Sequence, residues 1–348
     1  MIDGINMEIK PTFCTFIFGN GFDLSLGMRT EFKDMYEGYI NSPSIYQKNQ
    51  EKKWIAKFKR YIDADKPKYE TWSDFELALG RYSKYCDSVD ELIKCERDFK
   101  VYLKKYLRKE EEKMLKIIAK SPREYILAFS DFCNNFYRRN DLTENEKNQI
   151  NLYFKKSVFS YISFNYTQRI FNSLVSRQQP LFVHGTLEND IILGLDNESQ
   201  ISFPLDAISK RAIIKPVYNE TVDLNKVNTI KNIFGSSNII CSYGLSFGAS
   251  DFTWIKEISN VLIYKNCLWV HYILKNEEIN FVDLIESLEY RENLKKDFLR
   301  KIGIPREIYK KISDKVYIFP IAKSPFKFPQ QTSDDLENEI KEILNQVN

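Results

Sequence analysis

Four short motifs gather the residues of this chain that could do chemistry: Gly19-Asn20-Gly21-Phe22-Asp23, Phe164-Asn165-Tyr166-Thr167, His184-Gly185 and Gly244-Leu245-Ser246. Each follows an apolar, strand-like run. Glycines after a strand let the backbone turn sharply and aim free N–H groups at an anion, as open α/β sheets do for phosphates, so a nucleotide is the first ligand to consider. The asparagine amide of Asn165 offers a donor and an acceptor, suited to a nucleotide amide or an attacking water. Imidazole titrates near neutrality and can take a proton from water or a ribose hydroxyl. The chain has two histidines. His184 closes a Leu-Phe-Val run and precedes a glycine, whereas His271 lies inside Leu-Trp-Val-His-Tyr-Ile and reads as a core imidazole.

Each motif also has a structural reading. Gly19, Gly21 and Gly27 are not spaced as the dinucleotide fingerprint, and no Walker lysine follows them. Asp23 reads either as the cap of the next helix or as a partner for a ribose hydroxyl. Asn165 fits an Asx-turn as well as a ligand contact. Ser246 and Asp251 fit helix capping, Asp251 especially, because helical apolar spacing starts right after it. Trp72 and Glu76, four residues apart, share a helix face, which suits packing; were that helix to fold over the crevice, Glu76 could meet a ribose diol.

These motifs need a frame to hold them together. Residues 13–18 form an apolar strand, and 158–164, 181–183, 238–243 and 267–274 repeat the pattern, with helices at 168–177 and from Asp251 through Leu262. Strands alternating with helices predict an α/β protein with a mostly parallel sheet, whose strand carboxyl ends line one crevice. From residue 41 to 155 the periodicity is helical throughout, which predicts a large all-helical insertion between residues 10–40 and 156–275 of the core. An apolar run at 191–195 is followed by a polar stretch to about 235. Residues 276–348 read as an α-rich C-terminal appendage, with helices at 284–300 and 334–347 and an edge strand at 316–319.

Composition bounds the function further. With 51 basic and 48 acidic residues the formal charge is +3, too balanced to imply nucleic acid, and the lysine-rich stretches 48–60 and 100–116 read as solvated helix faces. Six cysteines lack any CxxC pair or metal-ligand spacing, which predicts reduced thiols and a cytoplasmic protein. No leader pattern and no apolar run of membrane-spanning length is present, so no membrane association is expected.

Taken in order, Gly19-Asn-Gly-Phe-Asp23 with Gly27 and Thr30, Trp72-Ser-Asp-Phe-Glu76, Phe164-Asn-Tyr-Thr167, His184-Gly185 with Gly194, and Gly244-Leu-Ser246 with Asp251 resemble the AbiH family of bacterial abortive-infection proteins. The layout is also similar to the sirtuin-like NAD-consuming domains of antiphage systems, with Asp23 near where their loop usually has a small hydroxyl residue. That resemblance implies a Rossmann-like, sirtuin-like sheet and a phage-defence effector acting on NAD as substrate or ligand, as an NAD glycohydrolase. It implies Asn165 and His184 as catalytic residues and Gly19, Asn20, Gly21, Phe22, Asp23, Thr30, Gly185, Gly244, Ser246 and Asp251 as cofactor-binding ones, with Trp72 and Glu76 behind them. No cysteine quartet is available for the structural zinc of protein-deacylating sirtuins, so no metal is expected and hydrolysis is favoured over deacylation. The sequence leaves open a homo-oligomer and a phage-derived trigger. It also leaves open two other functions: a non-catalytic nucleotide-sensing module acting through a protein partner, and a toxin directed at nucleic acid.

Overall fold

Six parallel strands form one sheet: β1 (Thr12–Phe18), β2 (Ser157–Ser163), β3 (Leu181–Phe182), β4 (Ile239–Tyr243), β5 (Leu268–Leu274) and β6 (Val316–Ile321), in the order β3-β2-β1-β4-β5-β6. This is a doubly wound, Rossmann-like arrangement, and the strand order reverses between β1 and β4. The computed structural model describes residues 11–65, 72–138, 142–154, 157–175, 178–274 and 284–329. The helix expected at 334–347 lies outside the described residues.

Helices α1 (Asn20–Ser25), α2 (Phe32–Asn41), α3 (Asn49–Asp65), α4 (Trp72–Tyr82), α5 (Val89–Lys120), α6 (Pro122–Asn135) and α7 (Glu144–Phe154) lie between β1 and β2. After them come α8 (Gln168–Leu174), α9 (Ala207–Ile213), α10 (Lys215–Ser236), α11 (Phe252–Tyr264) and α12 (Leu284–Lys301). Strand β1 is apolar along its length because both of its faces are covered. Cys14, Phe16 and Phe18 point to the side packed by Phe129 and Phe132 of α6 and Phe171 of α8. Ile17 points to the other side, with Ile230 and Phe234 of α10 and Ile258 of α11. Each large side chain buried this way contributes about 1.5–3 kcal/mol.

The helical insertion has its own core. Along α5, which Ser88 caps by accepting from the Glu91 amide at 3.2 Å, the residues Leu92, Cys95, Phe99, Leu103 and Leu107 recur at helical spacing and are buried. They pack with Phe58, Phe75 and Met35, and the same cluster takes in Leu187, Leu193, Leu195 and Ile213 from the segments that follow β3. The insertion is therefore packed directly on loops at the carboxyl edge of the sheet.

Two stretches to which the sequence assigns no element take definite form. The apolar run 191–195 makes isolated bridges, Gly185 with Ile191 and Leu195 with Ile214, and is not a sheet strand. The polar stretch that follows holds α9 and α10; apolar periodicity missed them because the buried apolar residues of α10, Val227, Ile230 and Phe234, are confined to its second half. A non-helical Asp223 interrupts α10 ahead of them.

Where the strand order reverses, the loops after β1 and β4 touch backbone to backbone. Gly19 N donates to Tyr243 O and Gly21 N to Gly244 O, both at 3.0 Å. A methyl group on Gly21 would lie 2.5 Å from Gly244 Cα, and Gly244 itself holds φ at +71°. No side chain fits at this crossing, and the left-handed conformation at 244 favours glycine. Replacing Gly21 with alanine must push the two loops apart. The expected loss is about 1–3 kcal/mol in urea unfolding, with the largest hydrogen-exchange change at residues 19–26 and 244–247; an unchanged midpoint would contradict the crossing.

Candidate functional site

The carboxyl ends of the strands enclose a cleft of about 760 Å³ that spans both halves of the sheet. That size suits a nucleotide-sized ligand. Gly19, Asn20, Gly21, Asp23, Thr30, Glu76, Asn165, His184, Gly244, Ser246 and Asp251 all line it, so segments far apart in sequence do meet at one rim. On the β4–β5 side the lining continues through Phe247, His271 and Phe298.

Three expected roles of the first loop change on inspection. The amides of Gly19, Gly21 and Phe22 are spent on Tyr243 O, Gly244 O and Gly19 O, so they are not free to grip an anion. The glycines serve close approach of two backbones instead. Phe22 faces away from the cleft, its ring 4.5 Å from that of Phe171 and 5.2 Å from that of Phe326, as part of the core. Asp23 sits within α1, whose cap position is Gly19 with no side-chain bond, so it caps nothing.

The Asp23 carboxylate ties β1 to β2. Its Oδ1 accepts from Asn165 Nδ2 at 2.9 Å, and Thr167 Oγ1 reaches both of its oxygens, at 3.0 and 2.9 Å. Asn165 Nδ2 also donates to Gly19 O at 3.1 Å. Because both neighbours are acceptors, the amide orientation is fixed, and the Asn165 carbonyl oxygen is left without a hydrogen bond among the described residues. No Asx-turn forms. Burial pushes Asp23 up to about 7, against the Thr167 and Asn165 hydrogen bonds, which favour the anion.

A chain of buried ionisable groups crosses the other wall. Lys215 Nζ donates to Glu76 Oε2 at 2.8 Å and to Asp251 Oδ1 at 2.7 Å, and that same Oδ1 lies 2.9 Å from His184 Nε2. The imidazole contact is close but out of line for a hydrogen bond, and Nδ1 of His184 is buried with no partner among the described residues. Burial alone would lower Lys215, but Asp251 and Glu76 outweigh it and hold the ammonium above its ordinary value. Burial would raise Asp251, yet Lys215 and His184 hold it well below the usual carboxylate range. Glu76 is raised by burial, an effect that Lys215 only partly offsets. Asp251 stands at the cap position of α11 without a capping bond; its carboxylate turns to Lys215 and His184 instead.

The remaining residues differ in their surroundings. Gly185, φ +73°, is not part of the cleft lining, and a Cβ there would lie 2.0 Å from Asp190 O; it serves the turn after His184. Trp72 opens α4, but its side chain lies outside what is described. Ser246 is exposed at the rim. His271 is a core imidazole as read: burial pushes it down to about 3, Ser242 Oγ lies 3.0 Å from its Nδ1, and its ring stacks 4.7 Å from that of Phe298. Phe247, with φ at +50°, packs on the same imidazole, a strained backbone held by its ring contacts.

Sequence reasoning missed Lys215 and gave no role to Thr167. Thr167 was present in a quoted motif. Lys215 hid in the polar stretch, although Ile213-Ile214-Lys215-Pro216, a lysine between an apolar pair and a proline, marks a helix start whose lysine sits at a buried edge. The six cysteines are free. Among the described residues no group of His, Cys, Asp and Glu is placed to hold a metal ion, and no helix is long and apolar enough to cross a membrane.

Compared with known proteins, residues 15–273 match the family model described as bacteriophage abortive infection AbiH. The matched span takes in β1 through β5 and every residue named above as lining the cleft except Phe298. No curated protein matches the chain significantly.

The buried Asp23 gives a pH test. Its folded-state value, about 7, lies above the unfolded value near 3.8, so its contribution to stability is fully present below about pH 4 and is lost as pH rises through 7. Relative to Asp23→Asn, the parent protein is expected to lose on the order of 4 kcal/mol between pH 4 and 8 in urea unfolding. A flat difference, or one of opposite slope, would contradict a buried, proton-binding Asp23.

Proposed function

The chain belongs to the AbiH family of bacteriophage abortive-infection proteins, and on that premise we propose that it is an antiphage effector that binds NAD in this cleft and hydrolyses the nicotinamide–ribose bond. One observation carries the catalytic part: His184 lines the cleft with Asp251 Oδ1 beside its Nε2 and with a buried Nδ1 that no described residue satisfies. A buried polar atom without a partner costs about 1–3 kcal/mol, so a ligand or a water that supplies one is favoured. A carboxylate at Nε2 favours the tautomer with the proton there, which leaves the Nδ1 lone pair free to accept one.

The chemistry follows from these two side chains. Cleavage breaks the C1′–N bond, and its electron pair returns to the pyridinium nitrogen, so nicotinamide leaves neutral. Water adds to C1′, giving ADP-ribose, and its proton passes to Nδ1 of His184. The unpaired carbonyl oxygen of Asn165 would orient that water or the nicotinamide amide group, while its NH₂ stays held by Asp23 and Gly19. Holding water and a developing oxocarbenium centre in fixed register is where most of the acceleration would arise. Because the amides of Gly19, Gly21 and Phe22 are engaged, recognition of the dinucleotide falls mainly to side chains of the cleft wall.

The test follows free nicotinamide from purified protein and NAD, alone and with phage-infected lysate. Turnover in at least one condition is expected, lowered by about 10²–10⁴-fold in His184→Ala, with loss of phage protection in the same variant. No nicotinamide in either condition, together with full protection by His184→Ala, would remove the catalytic reading. NAD-dependent thermal stabilisation without turnover would favour a sensing module.

A further inference from the structure

Lys215 is fixed more tightly than an ion pair requires. Its backbone N donates to Leu195 O at 2.8 Å, and Leu195 N donates to Ile213 O at 2.9 Å, so two segments clasp the start of α10. Gly194, with φ at +148°, permits that clasp, since a Cβ there would lie 2.2 Å from Ile213 O. The amide of Gly194 in turn donates to Glu76 Oε1 at 3.3 Å. Glu76 therefore meets the core at both oxygens, one through Gly194 and one through Lys215, and it stands on α4 of the helical insertion. The amide of Thr253 at the start of α11 donates to Asp196 Oδ1 at 2.8 Å, which leaves the Asp251 carboxylate to share one oxygen between Lys215 and His184.

We propose that Lys215 is the positioning residue of this site: it holds Asp251 against His184 and, through Glu76, ties the imidazole to the helical insertion. The inference rests on the reading of His184 as the base. A merely structural Lys215–Asp251 pair would not need the same oxygen to face His184. The charged and titratable groups around the imidazole are Asp251, Lys215 and Glu76, with Tyr166 on the side of β2.

Two histidines per chain make the test direct. Burial pushes His271 down to about 3, and the imidazole NMR signal of His184 is assigned as the one that His184→Asn removes. In Lys215→Met the Asp251 carboxylate loses its cation and faces the imidazole alone, so the His184 midpoint is expected to move up by one pH unit or more relative to the parent. Lys215→Arg, which keeps the charge, is expected to leave the midpoint within 0.3 pH unit, on the order of 0.4 kcal/mol. In nicotinamide release, Lys215→Met is expected to lower kcat about 10²-fold with KM changed less than threefold, and Lys215→Arg to restore it to within tenfold. An unmoved His184 midpoint in folded Lys215→Met overturns the proposal, whether or not any protein turns over NAD. Absence of turnover in the parent with the midpoint moved as expected instead overturns the hydrolytic reading alone. Should Lys215→Met not fold, Lys215→Met with Glu76→Gln, which removes one charge of each sign, is titrated in its place, with a smaller upward shift expected because losing the Glu76 charge opposes it; an unmoved or lowered midpoint overturns the proposal.

Discussion

The contact on which the rest depends is a crossing of two backbones. Gly19 and Gly21, after β1, lie against Gly244, after β4, at hydrogen-bonding distance and with no room for a Cβ. In a doubly wound sheet the helices after these two strands leave on opposite faces and a crevice opens between them. Here the crevice floor is made of main chain. That keeps Asp23 one helical turn away, in reach of Asn165 and Thr167 at the end of β2, and sets the Gly244–Asp251 loop over the β4–β5 half of the cleft. Glycine is required for the geometry of this loop, and the amides it could have lent to a phosphate are used in making the crossing.

Charge is concentrated on the opposite wall. Lys215 between Glu76 and Asp251 is a buried ionic cluster of the kind whose desolvation offsets much of its attraction, so it is weak evidence for stability. Its interest lies in position. Each member comes from a different part of the chain: Glu76 from the insertion, Lys215 from the start of α10, Asp251 from the start of α11 and His184 from the turn after β3. Apolar packing brings the same parts together, since Leu193, Leu195 and Ile213 are shared with the insertion core. The insertion is thus joined to the site by a hydrophobic seam and by the Glu76–Lys215 ion pair within it.

Much of this was legible in the sequence, for reasons that can be named. Phe13 to Phe18 and Ile239 to Tyr243 are apolar except for Thr15 and Ser242, both buried and hydrogen-bonded, because strands covered on both faces have no solvated side, and short runs of that kind alternating with helices imply a parallel sheet. Four polar strand endings implied a shared rim because a parallel sheet puts those ends on one edge. What stayed hidden was partner choice. Nothing in Asp23 or Asp251 says whether a carboxylate at a helix start caps that helix or reaches across the fold; that depends on which donors, Thr167 or Lys215, the tertiary structure delivers. Phe22 was read as a ligand contact from its place in a motif, whereas its neighbours in space, Phe171 and Phe326, lie far away in sequence. Helix α10 escaped because exposed apolar residues in its first half, Val222 and Leu224, blur the spacing of the buried ones, Val227, Ile230 and Phe234, and Lys215 went unseen with it.

We propose that this glycine-floored cleft is a nucleotide site worked by His184. A crystal structure of the His184→Ala protein with NAD tests it most directly. The account predicts the dinucleotide along the cleft, its nicotinamide ribose between the Asn165 carbonyl oxygen and the vacated position of the imidazole. NAD bound elsewhere on the molecule, or a cleft that stays empty at saturating NAD, would contradict it.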